Sequence, residues 1–402
     1  MKKRSIPIGR PSVLRYTNAH GILKLLREGG TCSRADLVRA SGLSAPTVTN
    51  VVKDLLSADL VEPLGEGPSS GGRPPDMLRF KAERGCLLAV EITARNISFL
   101  LTDLNGSELD RMEVSLAKKK TTPEAICSLI GEELKGLLRR QMKSRDRLLA
   151  LGVGVPAITN VDEGNVLLIS TLDGWSSVPL RAMLSKIAGC PVIVENDTNL
   201  AAQGEHFRGS AQGVKDFVFI NIGTNVGAGI FLDGRIHHGA EWSAGEIAYL
   251  RLPSISRRQL TIHEFGELES VLTSRGILKS WSAARSKSSR GAGKTELDAL
   301  DVLNLAQEGD GSAVKIVRHH SEIVADIIVN LSLILNPGLI VLGGEIGSHP
   351  VLIDFVQKQL EGGEFAVTKI ASSLPEQRAV LWGCISLALE ALPSVLLPQP
   401  AL

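Results

Sequence analysis

The most constraining feature of the sequence is a pattern of three short helices predicted over residues 11–64. The first helix ends at the pair Gly29-Gly30. Ser33 is placed to cap a short second helix, a glycine turn follows, and Ser44 is placed to cap a third helix with valines on one side. Helix, short helix, glycine turn and helix in this order are the helix-turn-helix pattern.

A Gly- and Pro-rich loop, GEGPSSGGRPP, occupies residues 65–75 between two short predicted strands. Its composition excludes regular structure, so the strands and the loop are predicted to form a wing. Arg73 has glycines before it and prolines after it. A stiff loop that ends in an arginine suits insertion into a narrow minor groove of DNA.

Polar side chains on the third helix are predicted to lie on or near the face opposite its valines. An α-helix fits the major groove, where hydroxyls and amides contact bases or phosphates and lysine contacts phosphate. The candidate DNA-binding residues are Ser44, Thr47, Thr49, Asn50, Lys53 and, on the wing, Arg73. The alternative is an ordinary three-helix subdomain with a solvated polar face.

Charge is distributed unevenly along the 402 residues, although the net charge is only +1. Residues 1–85 hold 14 Lys and Arg against 8 Asp and Glu, a balance of +6, and the remainder has a balance of −5. A basic N-terminal part on an acidic body favours nucleic-acid binding at that end. Together with the arginine of the wing, this charge favours DNA binding over the solvated-face alternative.

The rest of the chain, from about Cys86, predicts strands that alternate with helices, which is typical of an α/β fold. Residues 282–295 contain almost no apolar side chains and are predicted to be an exposed loop. The apolar region 323–342 is interrupted by polar residues and by Pro337, so it predicts a buried helix, a turn and a buried strand.

Cysteine spacing and the N-terminal residues bear on the compartment. The five cysteines include no Cys-x-x-Cys pair, so the pattern predicts neither a disulfide framework nor a zinc ribbon. The basic N-terminus lacks the apolar stretch of a signal peptide. We therefore expect a cytoplasmic protein without a membrane segment.

Several motifs, taken in order, resemble one known family. The helix-turn-helix followed by SGGRPP, and then VGVPAITN, VENDTNLAAQGE, NIGTNVGAGI, GEIAYL, GELES and LIVLGGEI, are similar to the ROK-type repressors. These are sugar-responsive transcriptional regulators of the NagC, Mlc and xylose repressor type. The resemblance covers roughly residues 10–390.

The resemblance implies a winged helix-turn-helix joined to a body of the actin-like sugar-kinase fold, with two α/β lobes around a cleft. The predicted division is a helix-turn-helix domain at 1–64, a wing and linker at 65–84, a first lobe at 85–200, a second lobe at 201–380, and a C-terminal helix and tail at 381–402.

Kinases of this family bind ATP with two glycine-rich loops, whose backbone amides approach the phosphates. The first loop, Asp-x-Gly-Gly-Thr, aligns here with residues 91–95, where both glycines are absent and Arg95 replaces the threonine. The second survives in part at residues 223–227, with Asn225 where a glycine is usual, and is predicted to be a hairpin turn. We therefore expect no catalysis and no cofactor.

The sugar side of the family's cleft is better retained. Asn196 and Asp197 match the family's Asn-Asp pair, and Glu246 and Glu269 match two glutamates of later motifs. Carboxylates and an amide can accept the hydroxyl protons of a polyhydroxylated ligand. Asp197 also begins a predicted helix, so helix capping is a second role for it. Tyr249 replaces the histidine of the motif and completes the predicted effector-binding set.

The family's zinc site is not retained. Its histidine is Tyr249, and its three cysteines align with Leu260, Ile262 and Glu267. The neighbouring histidines at 237–238 are predicted to be surface or core residues. We expect no metal.

These features together predict a sugar-responsive regulator that binds operator DNA and a carbohydrate effector. Paired half-sites in the operator would require a homodimer or a dimer of dimers. The alternative is a sugar kinase with an appended DNA-binding domain.

Overall fold

The computed structural model describes most of the chain. The described residues are 11–67, 74–141, 148–169, 172–253, 255, 266–286, 297–362, 369–373 and 378–397. The predicted helix-turn-helix, the α/β body and the long helix followed by a strand within 311–343 are all found in the described residues.

The N-terminal domain is a three-helix unit closed by a small antiparallel sheet. Its elements are α1 (Pro11–Gly29), β1 (Cys32–Ser33), α2 (Arg34–Ser41), α3 (Ala45–Ser57), β2 (Val61–Glu66) and β3 (Asp76–Phe80). Strand β3 lies between β1 and β2 and pairs antiparallel with both. The buried side of α3 carries Val48, Val51, Val52 and Leu55, as its helical spacing predicts. The fold is therefore a winged helix.

The first lobe contains a five-stranded sheet. Its strands are β4 (Cys86–Ile92), β5 (Asn96–Asp103), β6 (Glu108–Ser115), β7 (Leu148–Val155) and β11 (Val192–Asn196), and its helices are α4 (Pro123–Gln141) and α5 (Leu180–Ala188). The strand order is β11-β7-β4-β5-β6, with β4, β7 and β11 parallel. Three short strands, β8 (Thr159–Asn160), β9 (Asn165–Leu168) and β10 (Ser176–Val178), form a separate small sheet.

The second lobe contains another five-stranded sheet, in the order β14-β13-β12-β15-β16. Its strands are β12 (Phe217–Ile222), β13 (Val226–Leu232), β14 (Arg235–Ile236), β15 (Leu339–Gly343) and β16 (Lys369–Ser372). Its helices are α7 (Glu267–Leu272), α8 (Ser274–Ser286), α9 (Ala299–Gln307), α10 (Gly311–Leu335), α11 (Gly344–Gly347) and α12 (Pro350–Leu360). In both sheets three antiparallel strands precede two parallel ones, so the lobes share one topology.

Two helices lie between the sheets. Helix α6 (Asp197–Arg208) contacts β12 and β13 of the second sheet, and α13 (Ala379–Leu396) contacts β4 and β7 of the first. The two helices also pack extensively against each other. The predicted boundary at residue 200 therefore falls inside α6, and the C-terminal helix is part of the first lobe's packing.

Helix α8 extends into the segment predicted to be an exposed loop. Residues 282–286 of the predicted exposed loop are the last turn of α8, and 287–295 lie outside the described residues.

Helix α13 is long and apolar enough to cross a membrane by length and composition, but 56% of it is buried within the protein. A buried core helix passes the same test, so its composition alone does not indicate a membrane span.

Candidate DNA-binding surface and effector cleft

The recognition helix α3 is fixed at its start by two of the predicted residues. The Ser44 hydroxyl accepts a hydrogen bond from the backbone N–H of Thr47 at 3.4 Å, and the two hydroxyls lie 2.8 Å apart. Thr49, Asn50 and Lys53 are exposed on the side away from the valines. The structure therefore leaves these three side chains accessible to a DNA groove and gives Ser44 the additional role of a helix cap.

The second helix is fixed in the same way, as its sequence predicts. The Ser33 hydroxyl accepts from the backbone N–H of Asp36 at 3.2 Å, and the Asp36 carboxylate accepts from the Ser33 backbone N–H at 2.8 Å. This reciprocal pair is a capping box. Gly42 then ends the helix with φ +69°, which favours glycine, and turns the chain toward α3.

The wing is built on the β2–β3 hairpin, which pairs from Val61 with Phe80 to Glu66 with Asp76. A bulge between Pro63 and Gly65 interrupts the register. Arg73, the predicted minor-groove residue, lies outside the described residues. Its role remains a prediction.

A cavity of about 580 Å³ opens between the lobes at the first turn of α6. Its lining comes from both lobes, and among the described residues it includes three carboxylates and no Lys or Arg. Its polar lining residues include Glu91, Thr93, Asp197, Thr224, Asn225 and Glu345. The lining of this cavity is thus acidic and rich in hydrogen-bonding groups.

Asp197 lies at the end of a buried parallel strand, where α/β folds present ligand-binding groups. Capping of α6 is carried out by its neighbour, since the Asn196 side-chain oxygen accepts from the backbone N–H groups of Thr198 (2.8 Å) and Asn199 (3.1 Å). The capping role expected for Asp197 therefore belongs to Asn196. Burial raises the pKa of Asp197 to about 6, although hydrogen bonds from Thr198 oppose the shift.

Glu246 is held near Asp197 by a tight loop. A Cβ on the preceding Gly245 would lie 1.9 Å from the carbonyl oxygen of Ala228, and Gly245 has φ +93°. Only glycine allows this approach. Burial raises the pKa of Glu246 to about 7, and the charges of Asp197 and Glu269 add to the shift. Glu246 is therefore within electrostatic range of the other two predicted carboxylates, Asp197 and Glu269.

Glu269 has a structural role in addition to any ligand contact. Its carboxylate accepts from the backbone N–H of Gly266 at 3.1 Å and of Val226 at 3.4 Å, which joins α7 to β13. Burial raises its pKa. Tyr249 lies in a 3₁₀ turn, half-buried against the second lobe's core. The cavity lining does not include Asn196, Glu246, Tyr249 or Glu269. Of the five residues predicted to bind the effector, Asp197 is therefore the one that lines the cavity directly.

Glu91 is a member of this acidic group that the sequence did not assign to the effector. It lines the cavity from β4. Burial raises the pKa of Glu91 to about 8, and the charges of Asp197 and Glu113 add to the shift. Its position near the end of β4, as the first residue of the altered phosphate loop, was the available signal, whereas the Asp197 charge that acts on it comes from a distant part of the chain.

His238 forms a contact between the lobes beside this site. Its Nε2 lies 2.6 Å from the buried Glu195 carboxylate, which raises the pKa of His238. The other Glu195 oxygen accepts from the Asn196 backbone N–H at 2.7 Å and from the Asn199 amide at 3.0 Å. His238 therefore helps to hold the start of α6, whereas sequence reasoning assigned it no partner.

Both segments that match the kinase phosphate loops are hairpin turns. Residues 223–225 join β12 to β13, and the Gly223 N–H donates to the Asn225 carbonyl at 3.1 Å. Between β4 and β5, the Thr93 N–H donates to the Asn96 carbonyl at 3.0 Å. The Glu345 backbone lies beside Gly223, and its carboxylate accepts from the Ser274 hydroxyl at 2.5 Å. A carboxylate therefore stands next to the glycine turn.

The described residues contain no cluster of three or more His, Cys, Asp or Glu side chains that could hold a metal ion. Of the positions that align with the family's zinc ligands, Glu267 begins α7, and Leu260 and Ile262 lie outside the described residues. The donor set that remains, one tyrosine and one glutamate, does not fit a structural zinc site.

Comparisons with known proteins agree with this architecture. The ROK family profile matches residues 87–391, and a winged helix-turn-helix DNA-binding profile matches residues 17–62. A xylose repressor of Caldicellulosiruptor bescii is 25% identical over 397 residues, which cover 95% of this chain and 98% of the repressor. A glucokinase of Halalkalibacterium halodurans is 29% identical and covers 73% of this chain and 90% of the enzyme.

The fold has a close match among solved structures. The crystal structure of a ROK family transcriptional regulator, described as a homologue of the E. coli Mlc protein, superimposes with a TM-score of 0.80. It is 24% identical and covers 96% of this chain and 98% of its own. The chain therefore belongs to the ROK family and joins that family's two-lobed body to an N-terminal winged helix-turn-helix.

Proposed function

We propose that this protein is a cytoplasmic transcriptional repressor that binds operator DNA through α3 and its wing and a carbohydrate effector in the cleft, without catalysis. The main support for the proposal is that the same chain contains an acidic cavity at Asp197 and an exposed recognition helix, α3. The similarity to the xylose repressor of Caldicellulosiruptor bescii supports it.

The chemistry of the cleft suits a polyol. With a pKa of about 8, Glu91 is mostly protonated at pH 7 and can donate a hydrogen bond, whereas Asp197, with a pKa of about 6, is mostly ionised and can accept two. A sugar hydroxyl both donates and accepts, so this pairing matches it. In this proposal Asn196, Glu246, Tyr249 and Glu269 complete or support the effector site.

The proposed absence of catalysis rests on the part of the cleft that would hold the ATP phosphates in a kinase. A kinase must neutralise the charge of the transferred phosphoryl group with cations and backbone amides. Among the described residues the cavity lining includes three carboxylates and no Lys or Arg, and Glu345 lies beside the glycine turn. The kinase alternative rests on similarity to the glucokinase. Sugar-dependent release of ADP above background would establish it.

Operator binding by a homodimer, or a dimer of dimers, would place two α3 helices in successive major grooves about 34–36 Å apart. Sedimentation equilibrium of the protein with and without a DNA duplex measures this directly. A monomer that binds a single half-site at full affinity would contradict the proposed assembly.

The decisive experiment is Asp197→Asn, because it removes the carboxylate charge while Asn196 still caps α6. The wild type is first screened by thermal shift against a sugar library that includes D-xylose and D-glucose, since a ligand stabilises the native state by mass action. Each charge-assisted hydrogen bond lost costs about 1.5–3 kcal/mol, so the affinity for the sugar should fall at least about tenfold in calorimetric titration.

The matched control is Asp354→Asn, on the exposed side of α12. It should bind the sugar as the wild type does. Effector-free DNA affinity should be unchanged in both variants. Normal sugar binding by Asp197→Asn would place the ligand elsewhere, and loss of both sugar and DNA binding would make Asp197 a structural residue.

A further inference from the structure

Helix α6 extends from the cleft to a polar contact with the C-terminal helix. It begins at Asp197, and Gln203 lies six residues further on, about 9 Å along the axis at about 1.5 Å per residue. The Gln203 amide nitrogen lies 2.9 Å from the Ser386 hydroxyl and 2.9 Å from the Glu390 carboxylate, both on α13. The effector residue and this contact thus share one rigid element.

The α6–α13 packing leaves no room for the helices to slide independently. A Cβ on Gly204 would lie 1.9 Å from the Ala379 carbonyl oxygen. A Cβ on Gly383 would lie 1.9 Å from the Leu200 carbonyl oxygen. The backbones touch directly, with no flexible side chains between them to absorb a displacement. A movement of α6 therefore has to move α13.

Helix α13 in turn contacts the DNA-binding domain. The Arg27 guanidinium, in the last turn of α1, donates to the Leu389 carbonyl at 3.1 Å, and its side chain is only 16% exposed. The charges of Lys24 and Arg27 both act on the Glu390 carboxylate. One hydrophobic cluster also includes residues of α1 and of α13, for example Leu26 and Leu392. The polar and apolar contacts therefore converge on the same end of α1.

We infer that Gln203, Glu390 and Arg27 are positioning residues that couple the effector cleft to the DNA-binding domain through α6, α13 and α1. The inference rests on the proposed effector function and names the contact through which it acts. An effector that binds one position of α6 more tightly shifts the orientation of the winged helix, because allostery requires differential affinity for two states. The covalent linker at 65–84 is the competing route.

The test measures coupling separately from the two binding events. Gln203→Met keeps the length of the side chain and removes its amide, and Arg27→Met removes the guanidinium from the other end of the contact. Gln212→Met is the control, since Gln212 is exposed beyond the end of α6. Operator affinity is measured on a DNA duplex selected from a library of random sequences. It is measured with and without the sugar that stabilises the wild type most in the thermal-shift screen.

The expected result is that the sugar changes operator affinity about tenfold less in both test variants than in the wild type. Their affinity for the sugar, and their affinity for the operator without sugar, should stay within about threefold of the wild-type values. The control should behave as the wild type. An unchanged sugar effect in both variants would overturn the inference. So would loss of sugar binding in Gln203→Met or of operator binding in Arg27→Met, because each residue would then support a site and not the coupling between sites.

A second measurement does not need an effector. Amide hydrogen exchange of the sugar-free full-length protein should become faster in Gln203→Met at residues 385–392 and also at residues 20–29 of α1. Faster exchange confined to α6 and α13 would overturn the coupling. If no sugar binds the wild type, the proposed effector function fails, whereas the exchange experiment still decides whether α6 and α1 are coupled.

Discussion

Glu91→Gln should change how the protein's stability depends on pH. The pKa of Glu91 is raised from 4.5 to about 8, mainly by burial. The native state therefore binds this proton more tightly than the unfolded chain does, and the free energy of unfolding falls as pH rises from about 4.5 to about 8. Glutamine imitates the neutral acid at every pH, so the variant should lose this part of the decline.

The size of the effect follows from the pKa difference. At about 1.4 kcal/mol per pKa unit, the full difference corresponds to about 5 kcal/mol. The carboxyl group opens on the cleft and titrates together with Asp197, so we expect about 1–3 kcal/mol to be measured. The variant should be more stable than the wild type by this amount at pH 8.5 and nearly equal to it at pH 4.5.

Urea unfolding followed by circular dichroism at several pH values measures these differences. Glu132→Gln, on the exposed side of α4, is the matched control and should follow the wild type at every pH. If Glu91→Gln and the wild type lose stability in parallel between pH 5 and 8.5, Glu91 is ionised in the native state. The reasoning about the acidic cleft would then be wrong.

Three further substitutions test the DNA-binding domain and one tests the packing of the body. Asn50→Ala should weaken specific operator binding by about 1–3 kcal/mol in a gel shift at fixed salt if Asn50 contacts a base. Lys53→Ala should weaken binding to all sequences and reduce the slope of log affinity against log salt by about 1, measured by salt titration. Ser33→Ala removes the cap of α2 and should cost about 1 kcal/mol of unfolding free energy. Gly204→Ala places a Cβ against the Ala379 carbonyl and should lower the free energy of unfolding in urea by about 1–3 kcal/mol. A urea unfolding curve equal to that of the wild type would contradict the close helix contact.

Local signals in the sequence predicted the winged helix well. Caps at Ser33 and Ser44 and the turn at Gly42 act within a few residues, so each is visible in the chain without tertiary information. The end of α8 is different. Residues 282–286 look like loop by composition, but they continue a helix whose apolar side is buried through residues such as Trp281. Tertiary packing decided that boundary.

The cleft was predictable in position and less so in chemistry. The strand that ends at Asn196 predicted where Asp197 would lie, because strand ends in α/β folds present such residues. The structural roles of the other predicted residues were not predictable from the sequence. Asn196 caps α6, and Glu269 links α7 to β13 through a hydrogen bond. The raised pKa of Glu91 comes from its burial in the folded protein and from the charge of Asp197, more than a hundred residues away, which no local pattern contains.

The shared hydrophobic cluster of α1 and α13 joins two segments that are far apart in the sequence into one folding unit. Leu23 and Leu26 belong to the same cluster as Leu389 and Leu397. Truncation before α13 would therefore expose apolar surface on the DNA-binding domain, although Arg27 and Leu389, which are in contact, lie 362 residues apart in the sequence. During synthesis α1 leaves the ribosome well before α13, so α1 completes its burial only after α13 has been made.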